Sequence, residues 1–156
     1  MSKEIAIIAA LSDNNVIAKD GKMPWHIRED MLRFRDLTIP HPVIMGRKTY
    51  ESLPEKFRPL PQRTNIVVTK NADYKQDNVV IVNDIREALE KAMSLDDLSF
   101  VIGGGEIYQQ SLQYATKMHL TRAHQTVEGE NLTYFPAVKW EEWKEIKKLE
   151  KGNYTF

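Results

Sequence analysis

"SFVIGGGEIYQQ", Ser99 to Gln110, holds a strand, a turn and a helix in one short stretch. Ser99–Gly103 is apolar without alternation, as in a strand covered on both faces. The strand runs into three glycines, Gly103 to Gly105, and a helical pattern starts at once with Ile107, Tyr108 and Leu112 on one face. Glycine lets a backbone approach a ligand closely, and a helix start presents free N–H groups to an anion. A tight left-handed turn also uses glycine, but it asks for one or two in succession rather than three. Neither the GxxxxGK[ST] nor the GxGxxG spacing is present. The stretch therefore reads as a strand running into an anion site and then a helix, one unit of an α/β sheet.

The same unit recurs along the chain. "IAIIAAL" (Ile5–Leu11), "PVIMG" (Pro42–Gly46), "NIVVT" (Asn65–Thr69) and "VVIV" (Val79–Val82) read as further buried strands. "NDIREALEKAMSL" is helical, with Asp84 as its cap and Ile85, Leu89 and Ala92 on one face. "KMHLTRAHQTV" is read as a later helical pattern of uncertain period, and so is "WEEWKEIKKLE", which also suits an edge strand. "KGNY" signals a turn that would make the last segment a hairpin. Alternating strands and helices predict an α/β domain with a mostly parallel sheet.

Ligands of such sheets gather at the carboxyl ends of strands. In "VIMGRKTYESL" a strand ends at Gly46, and Arg47, Lys48 and Thr49 open the next helix. Positive charge at a helix start is unfavourable unless an anion sits there. "NIVVTK" puts Thr69 and Lys70 at a third strand end, after Val68. Together the three ends imply one extended ligand with several phosphates.

The 156 residues suit one domain, with 22 basic and 22 acidic residues and no basic run, so neither nucleic acid nor an anionic membrane is expected as partner. Without cysteine there are no disulfides or thiolate metal sites, and His26, His41, His119 and His124 show no metal-ligand spacing. The apolar run Ile5–Leu11 is too short for a membrane span and has no cleavage pattern after it; a cytoplasmic location is expected.

"MPWHIREDMLRFRDL", Met23 to Leu37, poses a question of its own. At 100° per residue Ile27, Met31, Phe34 and Leu37 share one face, and Asp30 falls between Leu37 and Phe34 on it. Asp30 is either a first-turn acid complementing the helix dipole, worth about 0.3–1 kcal/mol, or a carboxylate facing a cleft, whose burial demands a cationic or donor partner.

Taken in order, "IAAL", "VIAKDGKMPWHIREDMLRF", "VIMGRKTYESL", "RPLPQRTNIVVT", "VIGGGEIY", "LTRA" and "VEGE…YFP" resemble the dihydrofolate reductase family, bacterial type, from Ile5 to about Trp143. The resemblance implies a single domain over residues 1–156. It would have a mixed, mostly parallel eight-stranded sheet, about four helices and an adenosine-binding subdomain at roughly 41–96. It also implies an NADPH-dependent reduction of 7,8-dihydrofolate to 5,6,7,8-tetrahydrofolate in one-carbon metabolism. Hydride would go to pterin C6, and a proton would reach N5 through water. Antifolates are the implied inhibitors, and a monomer the implied state.

Asp30 matches the family acid that binds the 2-amino and N3 edge of the pterin, and Thr121 the threonine that supports it. Trp25 matches the tryptophan that orders water by the substrate. Met23 and Trp25 close a mobile loop, about Asn14–Pro24, and are carried over with Asp30 and Thr121 as catalytic positions. Ile8, Met31, Phe34, Leu53 and Leu60 match the pterin and aminobenzoyl walls, and Arg63 the arginine that holds the folate α-carboxylate. Ala10 and Ile17 match residues beside the nicotinamide; Gly46, Arg47, Lys48 and Thr49 match one pyrophosphate and ribose side. Ile102, Gly103, Gly104, Gly105, Glu106, Ile107 and Tyr108 match the second pyrophosphate site, where relatives hold a cis Gly–Gly bond. Arg47, Val68, Thr69 and Lys70 match the surroundings of the 2′-phosphate, which suits NADP better than NAD. Ala18, Arg28, Met31, Glu130 and Asn83 depart from common family residues; these changes bear on loop closure and adenosine contacts. Two other readings stand beside this one: a pyrimidine reductase of riboflavin synthesis, which shares the fold, and a nucleotide-binding module without catalysis.

Overall fold

The computed structural model describes residues 3–71, 73–76 and 78–156. Seven strands form the main sheet: β1 (Glu4–Ser12), β3 (Val43–Gly46), β4 (Asn65–Val68), β5 (Val80–Val82), β6 (Leu98–Gly103), β7 (Lys117–Ala123) and β9 (Tyr154–Thr155), in the order β5-β4-β3-β6-β1-β7-β9. All neighbours run parallel except β7 and β9. Four helices accompany it: α1 (Arg28–Thr38), α2 (Arg47–Ser52), α3 (Ile85–Leu95) and α4 (Gly105–Ser111). Among the described residues no helix is long and apolar enough to cross a membrane.

The unalternating strands have their explanation in two cores. On one face Ile7, Ile44, Ile66 and Val101 pack with Ile85, Ala88 and Leu89 of α3 and Ile107 of α4. On the other Ile8, Val43, Met45, Val67 and Phe100 pack with Tyr50, Leu60 and the α1 residues Phe34 and Leu37. Successive strand residues point to opposite sides, so a strand buried on both sides is apolar at every position. Asp84 caps α3 as expected, accepting from the Glu87 backbone N–H at 2.8 Å.

Two more strands, β2 (Val16–Lys19) and β8 (Leu132–Tyr134), pair antiparallel as a separate ribbon, leaving the main sheet one strand short of the expected eight. The chain leaves β1 through a tight turn in which the Asn15 N–H donates to Ser12 O at 3.0 Å, with Asn15 at φ 66°. That turn takes the chain out of the sheet from the end of β1 into β2. The ribbon lies over the start of α4: a Cβ on Gly105 would stand 2.9 Å from Thr133 Cγ2, so no larger residue fits there without movement.

Two expectations need correction. "KMHLTRA" is not helical but is β7, beside β1 in register from Ala6↔Lys117 to Ser12↔Ala123. Met118 and Leu120 join the core on one side of it, while His119 and Thr121 face the other, a period of two that four charged or polar neighbours disguise. "WEEWKEIKKLE" is not a helix either. Only Trp140–Glu142 makes a 3-10 turn, and Ile146 beyond it is 81% exposed, with no apolar face to bury. The expected hairpin is present: Glu150 pairs with Thr155, and β9 lies against the edge of β7.

Candidate active site

α1 begins later than its apolar pattern, with Ile27 still extended, so both Glu29 and Asp30 fall in its first turn. Yet Asp30 is no mere dipole acid. Its Oδ1 accepts from Thr121 Oγ1 at 2.5 Å, and Thr121 is buried at the middle of β7, paired with Ala10 of β1. Burial raises the Asp30 carboxyl above its ordinary range; the Thr121 hydrogen bond and the Arg33 charge pull it back. Asp30 is therefore a first-turn acid and a half-buried, partnered carboxylate at once.

Around this pair the cleft is apolar. Ile8 lines it from β1, with Phe34, Leu53 and Leu60 packed in the same core. Met31 is 49% exposed at its mouth. Asn65 fixes Leu60 by bonding both its N–H and its C=O at 2.9 Å. Trp25 carries a buried indole N–H that meets no acceptor among the described residues. Such a donor is costly to leave unpaired and fits a water or ligand atom. At the far end of α1, Arg63 Nη1 donates to Thr38 Oγ1 at 2.9 Å and Nε to Pro61 O at 2.9 Å, with the guanidinium beside the Phe34 ring. Asp30 and Thr38 stand about 12 Å apart at 1.5 Å of rise per residue, so an anionic group and a cationic edge of one extended ligand have a partner at each end.

The three glycine and basic strand ends come together as neighbours, because β4, β3 and β6 are adjacent in the sheet. Gly46 pairs with Val68, and Met45 with Gly103. A Cβ at Gly46 would press on Ile107 Cγ1 at 3.2 Å, and one at Gly104 would lie 3.4 Å from Thr49 Oγ1. α2 and α4 thus start side by side, and neither N-cap glycine has a side chain to occupy the free N–H groups. The Gly103–Gly104 peptide is cis. Thr69 is buried just past β4, and Lys70 is exposed beside it. Arg47 lies 3.7 Å from Glu51 and near the Tyr74 ring. Tyr108 puts its hydroxyl 2.8 Å from both Ile8 O and Ile102 O, tying β1 to β6, and burial pushes that phenol up. Ile17 reaches the start of α4 from β2.

Not all expected residues converge. Met23 is 53% exposed, Lys48 is exposed, and Glu106 is exposed and bonded to Gln110. Conversely Arg33, Thr38, Asn65 and His119 stand in or under the site, although the sequence pattern did not single them out. Arg33 offered a signal, lying three residues after Asp30 and so on the same helix face; the others offered none.

Gly103 has φ 122°, and a Cβ there would meet the Tyr108 phenol at 3.2 Å. Gly103→Ala is expected to cost about 1–3 kcal/mol, the usual scale for such backbone strain, read as a fall in denaturant midpoint.

The fold and site define a nucleotide-dependent α/β enzyme with one acid in an apolar cleft. A family model described as dihydrofolate reductase matches residues 4–155. The dihydrofolate reductase of Haemophilus influenzae is 40% identical over 95% of this chain and 91% of its own length. That of Bacillus subtilis is 35% identical over 97% and 90% respectively. A solved structure of the Enterococcus faecalis enzyme, complexed with NADP(H) and RAB-propyl, superposes with TM-score 0.85 at 30% identity, covering 97% of this chain and 94% of that one. The chain belongs to the dihydrofolate reductase family.

Proposed function

We propose that this protein reduces 7,8-dihydrofolate to 5,6,7,8-tetrahydrofolate with NADPH, as a monomer that also takes antifolates. The observation that carries the reading is the half-buried Asp30 held by Thr121 in an apolar cleft beside three phosphate-suited strand ends. The names of its relatives and the NADP(H) in the Enterococcus faecalis enzyme support it.

Ionised Asp30 accepts paired, charge-assisted hydrogen bonds from the 2-amino and N3 edge of the pterin. Its charge favours the protonated, hydride-accepting ring. Ile8, Met31, Phe34, Leu53 and Leu60 wall the pterin and aminobenzoyl groups and exclude water. Arg63, fixed by Thr38, takes the glutamate α-carboxylate at the other end of α1. The free Trp25 N–H orders the water that delivers a proton to N5. Gly46, Arg47 and Thr49 with Gly103, Gly104, Gly105, Ile107 and Tyr108 would hold the pyrophosphate and riboses, Arg47, Thr69 and Lys70 the 2′-phosphate, and Ala10 and Ile17 the nicotinamide. When bound, NADPH supplies the hydride that ends on pterin C6. The protein contributes orientation and electrostatics.

Loss of NADPH absorbance on adding dihydrofolate is the test. Turnover is expected. Its absence with this substrate, while NADPH still binds, overturns the reading in favour of a related reductase or a binding module.

A further inference from the structure

Arg33 sits three residues past Asp30 on α1 and is half-buried. Its Nη1 lies 3.4 Å from Thr121 Oγ1, and its Cζ stands 4.4 Å above the Phe156 ring centroid, a stacked cation–π arrangement. The hairpin that brings Phe156 there is fastened to the same helix: the Tyr154 hydroxyl donates to Glu29, and Lys151 Nζ lies 3.5 Å from Glu29 Oε1.

A guanidinium has N–H donors and no acceptor. Arg33 therefore claims a lone pair of the Thr121 hydroxyl, and the hydroxyl proton is left for Asp30 Oδ1 at 2.5 Å. Hydrogen bonds in such a chain polarise one another. The relay runs one way, from Arg33 through Thr121 to Asp30, and its last member acts as an acceptor, a role that a carboxylate fills with either oxygen and a neutral carboxyl with its carbonyl oxygen alone. At 3.4 Å the first link is a weak bond, so the guanidinium acts chiefly through its charge, in surroundings where charge is poorly screened.

We propose that Arg33 is a positioning residue for the reduction: clamped by Phe156, it aims the Thr121 hydroxyl at Asp30 and keeps that carboxyl ionised. This rests on Asp30 being the substrate-binding acid. Thr121 on β7 bonds Asp30 and Arg33 on α1 acts on it through its charge, while the Tyr108 phenol on α4 and Tyr154 on β9, whose titrations feel the Asp30 charge, spend their hydroxyls on Ile8 O and Ile102 O and on Glu29. Arg33 is the cation whose charge favours ionised Asp30. The nearby His119 on β7 does not share that work: burial lowers it, and the charges of Arg33 and Lys117 lower it further, so it stays neutral.

The test is an NMR titration of the Asp30 carboxyl and the His119 imidazole in the whole, ligand-free protein. Arg33→Met keeps the length and the apolar stem and removes the charge. The Asp30 midpoint is expected to rise by about one pH unit, the lower end of the effect of a nearby opposite charge. The His119 midpoint should rise with it, since the same cation opposes both; simple loosening of the site would lower the buried carboxyl instead. Arg33→Lys should move Asp30 by less than half as much. Phe156→Leu leaves the cation but frees it and should give a smaller rise in Asp30, which keeps the question open to measurement if Arg33→Met does not fold. An Asp30 midpoint that stays in place in both Arg33→Met and Phe156→Leu, or in Phe156→Leu alone when Arg33→Met does not fold, overturns the proposal. Failure of the parent to turn over dihydrofolate would instead remove the functional reading and leave the titration result intact.

Discussion

Asp30→Asn is expected to slow hydride transfer to dihydrofolate near neutral pH by about 10²–10⁴, the usual scale for losing a group that governs proton transfer. The variant keeps the shape of α1, and Asn still offers Thr121 an acceptor where Oδ1 now takes its hydrogen bond. NADPH binding should stay near the parent level, because the glycine and basic strand ends belong to β3, β4 and β6. What is lost is the charge opposite the pterin edge. Rising acidity should rescue the variant in part, since solvent then protonates the substrate unaided. Hydride transfer measured against pH, with deuterated NADPH to isolate the chemical step, reads this directly. Parent-like transfer at neutral pH would reduce Asp30 to a first-turn acid.

The same substitution has an opposite effect on stability. Burial raises the Asp30 carboxyl in the folded protein, so the native state keeps that proton to higher pH than the unfolded chain does. This contribution to stability is fully present below the unfolded-state value and is lost as pH rises through the raised native value. At neutral pH the ionised carboxylate therefore weighs against folding. Asp30→Asn should raise the Tm there. The gain should shrink in acid, where the parent carboxyl is protonated in both states. Thermal scans at neutral and acid pH check it. Opposite signs for activity and stability are what a functional buried charge gives and a structural one does not.

The tension between charge and burial is also what made the candidate site stand out in the sequence. Asp30 announced itself by standing on the wrong face of an otherwise regular helix pattern. Gly103 to Gly105 did so by exceeding what a turn needs, and Arg47 by putting positive charge at a helix start; Lys48 beside it is exposed. Strands β1, β3, β4 and β6 could be read because both their faces are covered, leaving no polar position. β7 could not: its polar face meets α1 and the cleft, and "KMHLTRA" carries that mixture without a clear period. The β2–β8 ribbon depends on residues more than a hundred positions apart and on the closeness of Thr133 to Gly105, which no local pattern encodes. Arg33 was only half visible, by its spacing of three residues from Asp30. On its helix it is one more flank charge; its meaning comes from Thr121, 88 residues away, and from Phe156.

Removing Arg47 and Lys70 together should collapse the preference for NADPH over NADH. The two cofactors differ only by the 2′-phosphate, so any group that discriminates must act there. Arg47 follows Gly46 at the end of β3 and Lys70 follows Thr69 at the end of β4, and those strands are paired Gly46↔Val68, which brings the two cations to one side of the cleft. Arg47 has a rival partner in Glu51, but at 3.7 Å and with side chains 42% and 43% exposed that pair is weak and easily exchanged for a dianion. Deleting one charge-assisted hydrogen bond costs about 1.5–3 kcal/mol, and the costs of two neighbouring deletions do not add fully. The double variant should therefore surrender at least about tenfold, and up to about 10⁴, of the ratio of kcat/KM values, at 1.4 kcal/mol per tenfold. Activity with NADH should hardly change, because NADH presents no phosphate to either side chain. Glu51→Gln supplies the converse: with its competitor gone, Arg47 should favour NADPH more strongly than in the parent. Arg47→Ala with Lys70→Ala, and Glu51→Gln, each assayed beside the parent with both cofactors, decide the matter. A double variant that keeps the parent ratio would mean that the 2′-phosphate meets other groups, and that the basic residues after β3 and β4 serve the pyrophosphate or the surface instead.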